Sequence, residues 1–193
     1  MRYNAICPFG RLASVTSSAW RGDPLTLVLA EIADRTGCRL LPPAGPATVP
    51  AGLTIPDEVR RLHERCGGLI LFEGAPFAWR ISGPRELVAA SPRLLTPELA
   101  DEIAADDPTE LTNGCYVIAD GGTGGATEPH MVIDLQPDRA GRCYAVGWDT
   151  YGLVGEMPIV AHGIVELLHR MLAAEGMEAT LSGPNDVDAY GQV

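Results

Sequence analysis

The spacing of apolar residues changes near residue 68, and this change constrains the fold more than any other feature of the sequence. Before it, apolar residues recur at the spacing of helices; after it, they fall in short runs rich in β-branched and aromatic residues. Such runs, separated by turn-forming residues, are typical of strands. Five strands are predicted, in "GLILF", "FAWRIS", "CYVIAD", "HMVIDL" and "RCYAVGW".

Helices are predicted on both sides of these strands. The first follows Asp23, a typical N-cap residue, has Pro24 in its first position and ends near Gly37. In the second, Thr54 and Asp57 have the spacing of a capping box. The sequence "AHGIVELLHRMLAAEG" predicts a last amphipathic helix, and two short helices are expected between the second and third strands.

This order of elements predicts an α+β fold, with a central antiparallel or mixed sheet of about five to six strands flanked by N- and C-terminal helices. A chain of 193 residues, 46% of them hydrophobic, can bury one sizeable core but not two. We therefore expect an N-terminal extension at 1–22, a single domain at 23–176 and a tail at 177–193. The Gly, Asp and Asn content of the tail is typical of disorder.

A glycine-rich stretch, "IADGGTGGATEPHMVIDL" at 118–135, raises the question of phosphate binding. A phosphate loop leads from a strand into a helix whose N-terminal amides face the anion. Here the loop leads into another predicted strand, and the sequence has neither a G-x-G-x-x-G nor a GK[ST] pattern. The stretch therefore predicts a hairpin connection, and a contact of this loop with a ligand or partner stays open.

The composition excludes several kinds of catalysis. All fourteen basic residues are arginine, so chemistry that depends on a lysine amine is excluded. His63, His162 and His169 lack the spacing of metal ligands, and there is no G-x-S-x-G motif. Asp134 and Asp149 lie at strand ends, where carboxylates commonly form turns; a carboxylate pair for glycoside cleavage stays open, although nothing favours it. We predict no catalytic residue, no cofactor and no metal.

Charge and cysteine content indicate the compartment and the partners. A formal charge of −11 argues against nucleic-acid binding, which depends on Lys and Arg. The five cysteines have no paired spacing, so we expect reduced thiols and no disulfide. Pro8 and Arg11 interrupt the first apolar run, and no stretch is long enough to span a membrane. We expect a cytoplasmic protein without a membrane partner.

Several strings, taken in order, resemble the SUKH superfamily over residues 52–174. They are "IPDEVRRLHERCGGLILFEG", "WRISGPRELV", "YVIADGGTGG", "MVIDLQPDRAGRCYAVGWD" and "IVAHGIVELLHRML". The residues that carry the resemblance are Gly52, Ile55, Pro56, Gly67, Gly68, Ile133, Asp134, Gly141 and Trp148. The superfamily includes immunity proteins of bacterial contact-dependent and polymorphic toxin systems, and a fungal cell-wall synthesis regulator.

The resemblance implies a protein that binds another protein and catalyses nothing. The first hypothesis is an immunity protein that neutralises a cognate toxin by direct binding, with a basic toxin as the partner. A regulatory or scaffold module with the same fold is the alternative. A small-molecule binder or enzyme that uses the cleft beside the glycine-rich loop is a third hypothesis. A toxin gene immediately upstream would favour the first.

Two kinds of residue are candidates for binding the partner. Trp79 and Trp148 lie on predicted strands, where they either pack in the core or anchor a partner interface. Asp120, at a strand end, is a further candidate.

The stretch "ELADEIAADDPTE", at 98–110, carries six acidic residues and no basic one. It is either a solvated segment or a docking site for a basic surface. Asp101, Asp106 and Asp107 are its candidate contacts. Changing these three residues to Asn is expected to slow association without unfolding the domain.

Overall fold

The computed structural model of the chain describes residues 22–106, 110–122, 129–175 and 187–191. Within these ranges, seven strands form one antiparallel sheet in which each strand pairs with the next one along the chain. The strands are β1 (Arg39–Leu40), β2 (Leu69–Leu71), β3 (Trp79–Ile81), β4 (Cys115–Gly121), β5 (His130–Asp134), β6 (Cys143–Val146) and β7 (Ile159–Ala161).

The described residues also form five α-helices and a short 3-10 helix at Leu111–Gly114. None of these helices has the length and apolar content that crossing a bilayer requires. The helices are α1 (Pro24–Asp34), α2 (Asp57–Arg65), α3 (Ser91–Leu94), α4 (Pro97–Asp106) and α5 (Ile164–Ala174).

The predicted α+β class is confirmed, and each of the five predicted strands overlaps an observed strand. Two strands of the sheet were not predicted individually from the sequence, which indicated about five to six strands in all. The first, β1, has only two residues, too few for an alternating pattern. The second, β7, directly precedes the last helix, and its three buried residues merge with the apolar pattern of that helix.

The helical face of the sheet, as we call the side covered by α1, α2 and α5, carries the larger core. Alternate side chains of the central strands point to it, among them Ile118 on β4 and Ile133 on β5. The helices contribute the residues that their apolar stripes predict. On α5 these include Ile164, Leu168 and Met171, which are buried.

The opposite side, the loop face, carries a second and smaller core. Its strand residues alternate with those of the helical face and include Val132 and Tyr144. Instead of long helices, this face is covered by α3, the 3-10 helix, the connection between β6 and β7, and residues 187–191. Loops and short helices therefore supply much of this core.

The glycine-rich stretch connects two paired strands, as predicted. Asp120 pairs with His130 in the register of β4 and β5, and Gly121 donates a backbone hydrogen bond of 2.9 Å to the carbonyl of Pro129. Residues 123–128 of the connection lie outside the described residues. The hairpin interpretation is confirmed by the pairing of the flanking strands.

The start of α2 differs from the predicted capping box. Pro56 is the N-cap and makes no side-chain capping bond, while the Thr54 amide donates to the Leu135 carbonyl at 2.8 Å. Asp57 instead forms an ion pair with Arg60. The capping-box prediction is wrong because Thr54 is used to join the connector to the end of β5.

The first helix begins after Asp23 as predicted. The carboxylate of Asp23, however, does not cap the backbone of the helix. It accepts hydrogen bonds from Thr26 at 2.6 Å and from Arg65 at 3.0 Å. The bonds from Thr26 and Arg61 hold the pKa of Asp23 below its usual range. This carboxylate therefore joins α1 to α2.

The predicted disordered tail contains a packed segment. Residues 187–191 lie beside β7, where the Ile159 amide donates to the Val187 carbonyl at 2.9 Å and Ala189 is buried. The tail prediction does not hold for this segment, because composition alone does not reveal that it covers a sheet edge. The other tail residues, and the N-terminal extension apart from Gly22, lie outside the described residues.

Candidate protein-binding surface

The connection between β6 and β7, residues 147–158, is a compact loop on the loop face. It begins with a turn in which the Gly147 amide donates to Oγ1 of Thr150 at 2.8 Å and the Tyr151 amide donates to the Gly147 carbonyl at 3.0 Å. Gly152 follows with a φ of +84°, a conformation that side chains rarely adopt. Backbone hydrogen bonds and glycine together define the course of this loop.

Buried side chains attach the loop to the protein. Tyr151 is buried, and its hydroxyl donates to the Thr112 carbonyl at 3.0 Å. Burial raises the pKa of Tyr151 well above its usual value, so the phenol stays protonated as a donor. At the other end, the Met157 amide donates to Oδ2 of Asp188 at 2.8 Å. The loop is thereby held at both ends.

This anchored loop presents three large apolar side chains to solvent, which we call the apolar patch. Trp148 is 56% exposed, Leu153 52% and Val154 53%. Among the other described residues, one large apolar side chain is at least this exposed: Leu27 on α1, at 58%. Because grouped exposed apolar residues often mark protein-binding surfaces, this loop is the candidate binding surface of the described residues.

The structure places the two predicted tryptophans in different environments. Trp148 belongs to the apolar patch, whereas Trp79 is only 7% exposed and packs in the helical-face core. This burial favours the core-packing interpretation of Trp79. Its ring also lines a surface cavity of about 330 Å³, together with Asp120.

Asp120 is held in place by two cationic or polar partners. Its carboxylate lies 2.9 Å from a guanidinium nitrogen of Arg93 and 2.8 Å from Nδ1 of His130. Its side chain is 14% exposed. Asp120 therefore ties α3 to the sheet, and only a small part of it faces solvent.

His130 was not singled out in the sequence, although a histidine that opens a strand of buried residues is a signal for a buried polar contact. With Asp120 it forms an Asp–His pair, an arrangement that many catalytic sites use to orient an imidazole. Here Nε2 of His130 is buried and has no partner among the described residues. A substrate cannot reach this nitrogen in the structure, so the pair joins β4 to β5.

Asp134, which carries part of the family resemblance, is fully buried. It accepts hydrogen bonds from Nε of Arg139 at 2.7 Å, from the Gln136 amide at 2.9 Å and from the Tyr144 hydroxyl at 3.2 Å. Burial and the neighbouring Asp134 raise the pKa of Tyr144 well above its usual value. The carboxylate thus organises the turn between β5 and β6.

The acidic stretch forms most of α4. Its residues Glu98, Asp101 and Glu102 are exposed. The side chain of Asp106 and the whole of Asp107 lie outside what the structure describes. The described part of the stretch is therefore a solvent-facing acidic helix, next to α3 in the chain.

No cluster suited to a metal ion occurs among the described histidine, cysteine, aspartate and glutamate residues. Cys38, Cys66, Cys115 and Cys143 are free thiols, and Cys7 lies outside the described residues. Burial raises the pKa of Cys143 above its usual value. This thiol is therefore protonated, and it packs as a small apolar residue.

Comparison of the sequence with known proteins finds a relative whose role is named. Over 152 residues the chain is 28% identical to immunity protein YokJ of Bacillus subtilis (strain 168), covering 79% of this chain and 85% of that protein. The chain is similar to a bacterial immunity protein. No family model matches the sequence, and no solved structure matches it.

This relative confirms the resemblance to bacterial immunity proteins that the sequence predicted. Because no family model matches, the SUKH superfamily as such stays a prediction. The similarity covers most of both proteins, so it concerns the whole domain and not one local motif.

Proposed function

We propose that the protein is a cytoplasmic immunity protein of the SUKH superfamily that neutralises a cognate toxin by binding it directly, without catalysing a reaction. The observation that carries the proposal is the similarity to immunity protein YokJ over 79% of the chain. A relationship of this extent supports a shared role for the domain.

The apolar patch is the proposed centre of the toxin interface. Tryptophan is enriched among the residues that dominate binding energy at protein interfaces, particularly when surrounding residues exclude water. Trp148 has Leu153 and Val154 as exposed apolar companions on the same loop. The loop is held by Tyr151 and Met157, so little conformational freedom is lost when a partner binds.

Charge supports a basic partner. The chain carries a formal charge of −11, and α4 exposes Glu98, Asp101 and Glu102. Complementary charge raises the association rate and disfavours partners of like charge. We therefore propose that Asp101, together with Asp106 and Asp107, attracts a basic toxin surface. Asp120 contributes to the interface through the position of α3 rather than as a free charge.

The polar groups of the loop face support a binding role without catalysis. Asp120, His130 and Asp134 are directed to partners inside the protein. A catalytic acid, base or nucleophile must reach its substrate in the site. The carboxylates and the imidazole of this face instead hold turns and helices in position.

The test is protection against a toxin encoded beside the gene. Cells that express this toxin are expected to survive only when the protein is co-expressed, and the two purified proteins are expected to form a stable complex. Failure of both measurements with the neighbouring toxin would contradict the proposal. A complex with a different cellular protein would then favour the regulatory alternative.

A matched pair of variants tests the surface. Leu153→Asp places a charge in the apolar patch, whereas Leu27→Asp places the same charge on α1 at similar exposure. The first is expected to abolish protection and the second to preserve it, with both proteins folded by circular dichroism. Equal protection by the two variants would exclude the patch from the interface.

A further inference from the structure

The C-terminal strap, as we call residues 187–191, binds both polar backbone groups of Met157. The Met157 amide donates to Oδ2 of Asp188 at 2.8 Å, and the Met157 carbonyl accepts from the Ala189 amide at 2.8 Å. Asp188 is buried, so water competes little for its carboxylate. These bonds attach the strap to the loop between β6 and β7, close to the start of β7.

A second attachment of the strap lies at Tyr190. Its hydroxyl donates to Oε1 of Glu110 at 2.6 Å and lies 3.3 Å from the carbonyl oxygen of Gly152. The bond to the carboxylate is the stronger of the two, because a charged acceptor shortens and strengthens a hydrogen bond. The side chain of Tyr190 therefore joins the loop to the residue that precedes the 3-10 helix.

Two residues of the apolar patch, Leu153 and Val154, belong to the stretch 153–156 of this loop. The strap contacts the residue immediately before this stretch and the residue immediately after it. Within the stretch, the Leu153 amide donates to the Thr150 carbonyl at 3.1 Å, and the Glu156 amide donates to the Leu153 carbonyl at 3.1 Å. These local bonds turn the chain, whereas the strap attaches both ends of the turn to the rest of the molecule.

We propose, on the basis of the proposed toxin interface, that the C-terminal strap is a positioning element for toxin binding. It acts through Leu153 and Val154, which it holds in the arrangement that the toxin binds. A loop that must first be ordered binds more weakly, because the conformational freedom that it loses opposes association. The strap orders the loop before the toxin arrives. Tyr190 is thereby a positioning residue, although it belongs to the predicted tail of the chain.

Hydrogen exchange in the free protein, followed by NMR, tests the positioning without a toxin. Tyr190→Phe keeps the ring and removes the hydroxyl that reaches Glu110 and Gly152. The Leu153 and Glu156 amides are expected to exchange about tenfold faster in this variant, because the loop opens more often when a hydrogen bond is lost. The amides of α5 are expected to keep their rates. Unchanged exchange of both loop amides would overturn the proposal.

Tyr116→Phe is the matched control. It removes a hydroxyl from a tyrosine of β4 that belongs to the helical-face core. Exchange in the loop and toxin affinity are expected to stay as they are in the unmodified protein. Equally fast loop exchange in the Tyr116→Phe and Tyr190→Phe variants would assign the effect to general destabilisation, and would contradict the proposal.

Substitutions of Glu110 test the bond that holds Tyr190. Glu110→Gln keeps an acceptor oxygen for the Tyr190 hydroxyl, whereas Glu110→Ala removes it. Glu110→Ala is expected to accelerate loop exchange as Tyr190→Phe does, and Glu110→Gln is expected to restore most of the slow exchange. Similar exchange rates in the two Glu110 variants would contradict the proposed role of this bond in positioning the loop.

Toxin affinity, measured by calorimetry, tests the consequence for binding. Tyr190→Phe is expected to bind the toxin about fivefold more weakly while remaining folded by circular dichroism, since ordering the loop then opposes binding. In a chain that already carries Leu153→Ala and Val154→Ala, the same change is expected to have no further effect, because the strap acts through these two side chains. Equal weakening in both chains would show that Tyr190 contacts the toxin directly, and would overturn the proposal.

The same titrations separate this proposal from the proposed function. If the unmodified protein binds the neighbouring toxin and Tyr190→Phe binds it equally well, the proposed function stands and the positioning role of the strap is overturned. A strap that only stabilises the fold would give this result, because the affinity of the folded protein would not change. If the unmodified protein does not bind the toxin, both proposals are contradicted.

Discussion

The two faces of the sheet are covered by different kinds of structure. Three helices cover the helical face with apolar side chains that pack in one large cluster. The loop face is covered by loops and short helices, and it buries Asp134, Asp188, Thr112 and His130 beside a smaller apolar cluster. The comparison separates two tasks. The helical face supplies most of the hydrophobic stabilisation, and the loop face uses buried polar groups to hold irregular backbone.

The reason lies in the hydrogen-bonding needs of the backbone. Inside a helix, amides and carbonyls pair with one another, whereas a loop must find partners for these groups elsewhere. Asp134 accepts from the Gln136 amide, and Asp188 accepts from the Met157 amide. Carboxylates buried at these places therefore allow the loop face to have a defined surface. The apolar patch lies on that surface.

The largest effect is expected in the helical-face core. Leu168→Ala on α5 is expected to lower the free energy of unfolding by about 3–5 kcal/mol, because a fully buried leucine leaves a cavity among rigid neighbours. The matched change on the loop face, Leu94→Ala on α3, is expected to cost about 2 kcal/mol, since this smaller cluster can collapse around the gap. Urea denaturation measures both. Equal losses would remove the energetic distinction between the faces.

A buried charge on the loop face is expected to have the next largest effect. Asp134→Ala removes the acceptor for Arg139, Gln136 and Tyr144, and is expected to cost about 3 kcal/mol. The control is Asp138→Ala, because Asp138 is an exposed partner of the same arginine, and surface pairs contribute at most about 1 kcal/mol. Denaturant unfolding of both variants provides the test. A loss at Asp138 as large as at Asp134 would contradict the role assigned to the buried carboxylate.

Binding rather than stability is expected to change at the apolar patch. Trp148→Ala is expected to weaken toxin binding by about 2 kcal/mol, roughly thirtyfold, with the melting temperature unchanged. Trp79→Ala is the contrasting variant, since loss of a buried tryptophan is expected to lower the melting temperature. Surface plasmon resonance and calorimetry separate the two quantities. Unchanged toxin binding by the Trp148→Ala variant would contradict the proposed role of Trp148 at the toxin interface.

The smallest effect is expected at the acidic helix. Replacing Asp101 with Asn, and Glu98 and Glu102 with Gln, is expected to slow association with a basic toxin several-fold at low salt. The dissociation rate is expected to stay the same, because exposed charges act mainly on encounter. At about 1 M salt the original and the variant are expected to associate equally fast, since screening is then nearly complete. Equal rates at low salt would remove α4 from the docking surface.

The fold class, the positions of five strands and the main helices could be predicted from the sequence. This is possible because these features depend on local patterns: apolar residues at helical spacing in α5, and short runs of apolar, partly β-branched residues in β4 and β5. The similarity to immunity protein YokJ is also a property of the sequence, and it extends over 79% of the chain. The negative charge that favours a basic partner is likewise a property of composition alone.

Which residues face solvent could not be predicted in the same way, because it depends on tertiary packing. Trp79 and Trp148 both lie in strand-like runs, yet one is buried under the helical face and the other projects from an anchored loop. The same holds for residues 187–191, which composition assigned to a disordered tail. Exposure and hydrogen bonding depend on which distant segments meet. Local sequence patterns predict whether a segment is a helix or a strand, but not which distant segment packs against it.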